Sequence, residues 1–267
     1  SIGQEMEKEV YRQTGPVIFV SASLSVAGSL EYSTERLGLS GAEQLLLPPG
    51  FNYEQQVMLW VDQESPPPAQ SREHEAHVVK RLTELIPAIP GGTFVLFTSY
   101  RMLDSVFHAI RKEWEKFPPK GSGDILLLRH GSAPREKLLD DFREHGRAAL
   151  FGTTTFWQGI DVPGQTLACV CIVKLPFAVP DDPLVQARVE DLRDKGRNPF
   201  YEYQVPQAVM MFRQGFGRLM RKQDDRGVVA VLDPRLFTKR YGQVFLESIP
   251  ECRSAANIDE IKRFWSE

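Results

Sequence analysis

The sequence predicts an α/β protein with a mostly parallel β-sheet and helices on both faces. Three observations favour this fold class. Short apolar runs alternate along the chain with longer amphipathic segments, as in repeated strand–helix units. No internal repeat or long low-complexity tract interrupts this alternation. The length of 267 residues and the hydrophobic share of 42% are sufficient for a conventional core.

The individual elements follow from the periodicity of the apolar residues. The predicted strands are Val17–Ala22, Val57–Val61, Thr93–Thr98, Ile125–Leu128, Ala148–Phe151, Leu167–Lys174 and Gly227–Leu232. The predicted helices are Gln70–Leu85, Arg101–Glu115, Pro134–His145, Pro183–Asp194, Val205–Arg221 and Phe237–Ser248. Because parallel sheets bind ligands at the carboxyl ends of their strands, the residues just after each strand are the candidates for a site.

Proline-rich segments predict loops between these elements. They are LPPG at residues 47–50, ESPPPAQ at 64–70 and FPPKGSG at 117–123. None of them separates two stretches that each look like a domain. We therefore expect one domain over residues 1–267, with a loosely attached N-terminal strand.

Charge and cysteine content exclude few classes of function. A net charge of −3 does not suggest a nucleic-acid-binding protein, although a binding groove needs only a local basic stripe. The three cysteines have neither zinc-ligand nor redox spacing, so we expect reduced thiols. The N-terminal segment is polar, and no apolar run approaches the roughly 20 residues that span a bilayer. A cytoplasmic protein is expected.

The segment Val205–Arg221, VPQAVMMFRQGFGRLMR, carries the strongest functional pattern. Its apolar residues follow the spacing of a core-facing helical stripe. Gln214, Arg218 and Arg221 fall at i, i+4 and i+7, so a continuous helix would place them on another face. Two arginines held rigidly beside an amide suit a transferring phosphoryl group. The alternative is a solvated face, but two nearby glycines, each costing a helix roughly 0.5–1 kcal/mol, favour close approach by a phosphate or another backbone.

A second candidate is the loop GTTTFWQGIDVPG over residues 152–164, which follows a predicted strand. It offers backbone amides, hydroxyls, an aromatic face and a carboxylate, which suit a phosphodiester backbone and a ribose hydroxyl. The residues concerned are Thr153, Thr154, Trp157, Gly159 and Asp161. An ordinary turn around a buried tryptophan explains the same residues equally well.

A third candidate lies at a strand–helix junction, where Ser99, Tyr100 and Arg101 follow the strand Thr93–Thr98. Together they offer a hydroxyl, an aromatic ring and a guanidinium group, and helix N-termini favour anions. The simpler explanation is a serine N-cap with exposed neighbours, and it stays open at this point.

Two further features bear on metal and nucleotide binding. The sequence has no G-x-x-x-x-G-K-[ST] pattern and no Gly-Lys dipeptide, so it lacks a phosphate-cradling loop. His74-Glu75-Ala76-His77 looks like an Asp-Glu-Ala-His magnesium box, but it lacks the leading aspartate and falls in an amphipathic helix. We therefore expect a surface helix there and no metal ligands in this chain.

Taken in order, these segments resemble the second motor domain of superfamily 2 helicases of the XPD/DinG group, and most of all bacterial DinG-type helicases. VIFVSASLS at residues 17–25 is similar to motif III, and TFVLFTSYRML at 93–103 to motif IV. LFGTTTFWQGIDVPG at 150–164 is similar to motif V, and QAVMMFRQGFGRLMR at 207–221 to motif VI. The resemblance covers most of the chain.

The resemblance implies a RecA-like fold and a role for each candidate. In this family two RecA-like domains bind ATP between them, so Arg218 and Arg221 would reach its phosphates, with Arg221 the better candidate for the arginine finger. The resemblance implies that three further residues contact the nucleotide, namely Gln214, Gly159 and Asp161. The residues implied to lie along single-stranded DNA are Ser99, Tyr100, Arg101, Thr153, Thr154 and, with less support, Trp157.

The same resemblance implies what the chain works with. ATP and magnesium would be held mainly by a first motor domain, which carries the family's motifs I and II and is missing here. Residues 1–25 would then contribute a strand from the junction with that domain. The expected partners are single-stranded DNA and the first motor domain, with no membrane.

We therefore expect the second motor domain of an ATP-dependent DNA helicase, inactive when isolated. The alternative is a non-catalytic module that binds single-stranded nucleic acid with a motor-like fold. A dinucleotide oxidoreductase is disfavoured, because Gly215-Phe216-Gly217 lies far from the first strand–helix turn and lacks the third glycine at the required spacing.

Overall fold

The computed structural model describes residues 2–39, 41–153, 156, 166–178 and 182–267. Within these ranges, seven strands form one sheet in the order β3-β4-β2-β5-β6-β1-β7, and every neighbouring pair is parallel. The strands are β1 (Val57–Val61), β2 (Gly92–Leu96), β3 (Leu126–Arg129), β4 (Ala148–Gly152), β5 (Leu167–Ile172), β6 (Gly227–Val231) and β7 (Arg253–Ala255).

Helices connect these strands, as a parallel sheet requires. The described α-helices are α1 (Ile2–Met6), α2 (Glu31–Leu37), α3 (Tyr53–Gln56), α4 (Ser71–Ala88), α5 (Tyr100–Lys116), α6 (Arg135–His145), α7 (Pro183–Asp194), α8 (Val205–Phe216), α9 (Arg235–Thr238), α10 (Gly242–Glu247) and α11 (Ile258–Phe264). Two π-helical segments, Glu7–Tyr11 and Phe200–Gln204, accompany them. None of the helices in the described ranges combines the length and the apolar character needed to cross a membrane.

Side-chain caps fix the starts of several helices. Asp182 accepts hydrogen bonds from the first amides of α7, which begins with Pro183. Asn257 accepts one from Glu260 N at the start of α11. The Asp182 cap explains why α7 begins where the sequence predicts.

The chain forms two compact units. Unit 1 comprises Ser1–Pro48, Phe177–Arg213 and Arg240–Ile249, and unit 2 comprises Pro49–Pro176, Gln214–Lys239 and Pro250–Glu267. All seven strands of the described sheet belong to unit 2.

An aromatic cluster forms the interior of unit 1. Phe177 stacks on Phe200 with ring centroids 5.7 Å apart, and it meets Tyr241 and Phe245 edge-on at 5.4 and 5.9 Å. Phe212 meets Phe245 edge-on at 5.5 Å. Edge-to-face aromatic pairs stabilise packing beyond their buried area, so this cluster contributes to the packing of unit 1.

The core of unit 2 lies on both faces of its sheet. One face packs against α4, α5 and α11, with Cys169 and Cys171 fully buried beneath them. On the other face Phe94 of β2 contacts Phe142 of α6, with ring centroids 4.8 Å apart. Because both faces are covered, the central strands are apolar throughout. The predicted fold class, a parallel sheet between helical layers, is confirmed.

The predicted strand Val17–Ala22 is wrong. These residues belong to no strand, and the side chains of Ile18 and Val20 are 84% and 89% exposed. Their β-branched composition favours extended backbone, but a strand forms only where a neighbouring strand accepts its backbone hydrogen bonds.

Other boundaries also differ from the prediction. The predicted helix Phe237–Ser248 is two short helices, α9 and α10, because residue 239 has extended backbone. The short strand β7 and the helix α11 were not predicted. β7 has three residues, two of them exposed, so it carries no apolar run that a periodicity search would detect.

Candidate functional site

Three polar side chains from neighbouring strands meet at the carboxyl edge of unit 2. Tyr100 Oη lies 3.1 Å from His130 Nε2, and His130 Nδ1 lies 2.9 Å from Thr153 Oγ1. The rings of Tyr100 and His130 also contact each other, with centroids 4.9 Å apart. These residues follow β2, β3 and β4, which are adjacent in the sheet, so the fold brings distant sequence positions together. We call them the Tyr100–His130–Thr153 cluster.

The predicted DNA-facing residues differ in exposure. Ser99 and Arg101 are exposed, and Tyr100 is 52% exposed. Ser99 Oγ accepts a hydrogen bond from Met102 N at 3.4 Å, so the N-cap explanation is also correct. Thr153 is only 3% exposed, and its hydroxyl is used by His130.

Phe156 connects this cluster to an arginine. Its fully buried ring meets His130 edge-on at 4.7 Å, and Arg135 Cζ lies 5.8 Å from its centroid. Gly152 permits this packing, because a Cβ at that position would lie 2.7 Å from Phe156 Cβ. Phe156 therefore links the Tyr100–His130–Thr153 cluster to the start of α6, where Arg135 is the first residue.

Arg218 is a buried cation, with 7% of its surface exposed. Burial, and then the positive charge of Arg135, lower the pKa of Arg218 to about 10. Arg218 therefore still carries its charge at neutral pH. Its planar guanidinium group is a type of donor that matches phosphate oxygens.

Arg221 does not extend the helix, which corrects the prediction of one helix over Val205–Arg221. α8 ends at Phe216, and Leu219 N donates to Phe216 O at 3.4 Å in the turn that follows. Buried Asp225 then accepts hydrogen bonds from Arg221 N and Lys222 N, both at 2.8 Å. The carboxylate thus replaces the helical partners of these amides.

Because of this turn, Gln214, Arg218 and Arg221 do not share a helical face as predicted. The apolar stripe that precedes them is nevertheless buried, with Phe212 at 0% and Phe216 at 2% exposure. Of the two glycines in this segment, Gly215 lies within α8 and Gly217 lies in the turn that follows it.

Charge surrounds Arg221 as well. Burial lowers the pKa of Arg221 most, the negative charge of Asp225 opposes this shift, and the positive charge of Arg143 adds to it.

The side-chain oxygen of Gln214, Oε1, is buried, and among the described residues no donor is within hydrogen-bond distance of it. An acceptor placed in this way can receive a hydrogen bond from a ligand.

The other half of the carboxyl edge is arranged differently. Asp62, after β1, accepts hydrogen bonds from His77 Nε2 at 2.6 Å and Arg81 Nε at 2.9 Å. Asp233, after β6, accepts from Leu175 N at 2.8 Å and from Arg235 Nη2 at 2.7 Å. Both carboxylates are at most 2% exposed, and each is matched by opposite charge.

The His74-Glu75-Ala76-His77 segment is not a simple surface helix, which corrects that interpretation. His74 is fully buried, with Nδ1 3.2 Å from Ser65 Oγ and 3.0 Å from Pro66 O. The hydrogen bonds of His74 and His77 hold the loop between β1 and α4 against the start of α4. In the part of the chain that the structure describes, no group of three or more His, Cys, Asp or Glu side chains is placed to hold a metal ion.

Several predicted site residues lie outside the described residues. They are Thr154, Trp157, Gly159 and Asp161. Sequence reasoning also missed His130 and Arg135, which the structure brings into the site. No local motif contains them, but both come shortly after the strand at residues 126–129, and position at a strand's carboxyl end was the available signal.

Comparison with protein families decides which family this chain represents. Residues 82–252 match the family model described as the helicase C-terminal domain. The chain belongs to the helicase C-terminal domain family. The segment from Arg218 to Arg221 and the Tyr100–His130–Thr153 cluster lie within the matched residues.

Curated relatives of this helicase C-terminal domain include proteins named as helicases and one named as an exonuclease. The chain is 39% identical to the ATP-dependent DNA helicase YoaA of Escherichia coli, over 99% of the chain and 40% of that protein. It is 34% identical to the 3'-5' exonuclease DinG of Bacillus subtilis, over 93% and 27%. It is 32% identical to the ATP-dependent helicase DinG of Mycobacterium tuberculosis, over 98% and 38%. The chain spans about two fifths of the length of YoaA, the relative with the highest of these identities.

Solved XPD structures share the fold. An XPD helicase aligns over 85% of this chain and 42% of its own, with a TM-score of 0.57 and 14% identity. An apo XPD structure aligns over 85% and 47%, with a TM-score of 0.60 and 18% identity. The predicted RecA-like fold and the resemblance to the XPD/DinG group are therefore confirmed.

Proposed function

We propose that this helicase C-terminal domain is the second motor domain of an ATP-dependent DNA helicase. A first motor domain holds most of the ATP, and the present chain supplies guanidinium groups to its phosphates. The observation that supports this proposal most is the placement of Arg218, a buried cation, beside Arg135. Family membership and the names of the relatives support the same reaction.

The residues of this chain fit the phosphate end of the nucleotide. Arg218 and Arg221 provide planar donors that match phosphate oxygens. Gln214 would contribute the N–H donors of its side-chain amide. The sequence has no phosphate-cradling loop, so the remainder of the nucleotide and its magnesium are assigned to the first domain. Bound ATP supplies the γ-phosphoryl group, while the arginines of this chain orient it and offset its developing negative charge. In this proposal Gly159 and Asp161 contact the ribose side.

A second surface would hold the DNA strand. Ser99, Tyr100 and Arg101 are exposed at the start of α5, where a hydroxyl, a ring and a cation are available to a phosphate backbone and its bases. We propose that Thr154 and Trp157 extend this surface.

The test uses Arg221→Ala in the full-length protein. We expect DNA-stimulated ATP hydrolysis to fall by about 10³-fold or more, as for other arginine fingers, while single-stranded DNA binding stays nearly normal. The matched control is Arg263→Ala. Arg263 belongs to the same unit, its side chain is 73% exposed, and its ion pair to Glu260 is long at 3.8 Å.

Other outcomes separate the alternatives. Near-normal turnover in Arg221→Ala would remove the finger role. A full-length protein that binds single strands without any ATP hydrolysis would support the non-catalytic binding module instead. We also expect the isolated 267-residue chain to hydrolyse no ATP, since the cradle for the nucleotide lies elsewhere.

A further inference from the structure

We propose that His130 is a positioning residue, which holds the ring of Tyr100 as a stacking platform for one base of a single strand. This inference rests on the proposed function, because it assumes that the exposed start of α5 meets a nucleic-acid strand. It adds a residue that no sequence motif indicates, and it gives buried Thr153 an indirect role.

The first argument is that both nitrogens of His130 are used. Nε2 lies 3.1 Å from Tyr100 Oη, and Nδ1 lies 2.9 Å from Thr153 Oγ1. A neutral imidazole has one donor and one acceptor, so it can join the two hydroxyls in one directed chain of hydrogen bonds. Burial and the charge of Arg135 both lower the pKa of His130, which favours the neutral ring.

The second argument is that the support behind His130 is rigid. Thr153 follows β4 directly and is 3% exposed. Phe156 is fully buried and contacts the imidazole edge-on at 4.7 Å. His130 N also donates to Phe151 O at 2.9 Å, which fixes its backbone to β4. The sheet therefore holds the imidazole in place. The imidazole can in turn restrain the exposed side chain of Tyr100.

The third argument concerns the group that is restrained. Tyr100 is 52% exposed and lies in the first turn of α5. An exposed tyrosine ring normally samples several rotamers, and a base that stacks on it must stop this motion. The hydrogen bond to His130 and the ring contact at 4.9 Å remove part of that freedom before any base arrives. The ligand class that this geometry suits is an unstacked base of a single strand.

The experiment measures binding of the full-length protein to two fluorescent probes, an oligothymidine and an abasic oligonucleotide of equal length. We expect Tyr100→Ala to weaken oligothymidine binding about tenfold, because base stacking on an aromatic ring is lost. We expect His130→Ala to weaken it about threefold, because the ring then has to be ordered by the base. Neither change should alter binding of the abasic probe.

The decisive variant is the double substitution. If His130 acts through Tyr100, His130→Ala has almost no further effect once Tyr100→Ala is present. Tyr100→Phe keeps the ring and its contact with His130 but removes the hydroxyl, so its loss should be no larger than that of His130→Ala. His108→Ala is the control, since His108 is an exposed histidine on α5. Should His130→Ala fail to fold by circular dichroism, His130→Gln keeps a polar group at this position and is tested in the same cycle.

Two results would overturn the inference while leaving the proposed function in place. One is an equal loss from the His130 substitution with and without Tyr100→Ala, which would mean a merely structural role. The other is unchanged oligothymidine binding in Tyr100→Ala. A wild-type protein that binds neither probe would overturn the proposed DNA surface, and the inference with it.

Discussion

The two halves of the carboxyl edge in unit 2 differ in the sign of their buried charge. In one half Asp62 and Asp233 are almost completely buried, and arginines or a histidine bind each of them directly. In the other half the buried group is a cation, Arg218, and burial, then the positive charge of Arg135, lower its pKa. Buried carboxylates in direct contact with cations hold a fold together, whereas we propose that the guanidinium group of Arg218 binds an anionic ligand.

We propose that this contrast separates residues that serve stability from residues that serve binding. Removing one member of a buried ion pair leaves its partner desolvated, so the free energy of unfolding falls. Removing a cation that contacts the ligand lowers ligand binding. The predictions below test this difference, beginning with the largest expected change in stability.

The strongest test of the matched half is Asp233→Ala. The substitution removes the acceptor for Leu175 N and the counter-charge that Asp233 provides to Arg235. Since Asp233 is fully buried and Arg235 is partly exposed, we expect the free energy of unfolding to fall by about 3 kcal/mol. Urea unfolding followed by tryptophan fluorescence measures this change. A loss below about 0.5 kcal/mol, the usual range for surface substitutions, would contradict the scaffold role.

Gly152→Ala tests how closely the other half is packed. The added methyl group would lie 2.7 Å from Phe156 Cβ and 2.8 Å from its Cγ, so the buried ring has to shift. We expect a loss of about 1–3 kcal/mol in the free energy of unfolding. Gly123→Ala is the control, because a methyl group there meets nothing within 4 Å. Equal stability of the two variants would show that Phe156 can move freely.

Each half also contains one histidine with a lowered pKa. Burial is the largest cause of the lowered pKa in both histidines. The positive charge of Lys174 lowers the pKa of His74 further, and that of Arg135 does the same for His130. The folded protein therefore binds fewer protons than the unfolded chain below the ordinary histidine pKa of 6.5. Stability is fully present above pH 6.5 and falls as the pH is lowered, by at most about 1.4 kcal/mol per pH unit for each histidine.

The measurement is urea unfolding at several pH values between about 5 and 7.5, the range in which histidine titrates. His74→Gln and His130→Gln should each reduce the slope, whereas His108→Gln, at an exposed site, should leave it unchanged. An identical pH dependence in all three variants would show that other groups cause it.

Much of the fold could be predicted from local patterns. β1 and α7 have the predicted bounds, because a continuous apolar run and an Asp182–Pro183 start are local signals. Val17–Ala22 failed for a non-local reason, since extended backbone needs a strand to pair with. The predicted extension of α8 to Arg221 failed for a local reason, because Asp225 accepts the hydrogen bonds of Arg221 N and Lys222 N that a longer helix would direct to its own carbonyl groups.

The site was predictable only in part. Tyr100 and Arg218 stand in segments that the sequence pattern identifies, and in the structure Tyr100 is exposed and Arg218 is buried. His130 and Arg135 could not be found by spacing, because their neighbours Thr153 and Arg218 are distant in sequence. Only the order of strands in the sheet brings such residues together.

The most direct test of the central claim is Arg218→Met, measured for stability and for activity in the full-length protein. Methionine keeps an apolar body of similar length and removes the charge beside Arg135. We predict a protein that remains folded and a loss of ATP hydrolysis of about 10³-fold or more. Normal ATP hydrolysis together with a loss of about 3 kcal/mol in stability would show that Arg218 serves the fold and would contradict the account.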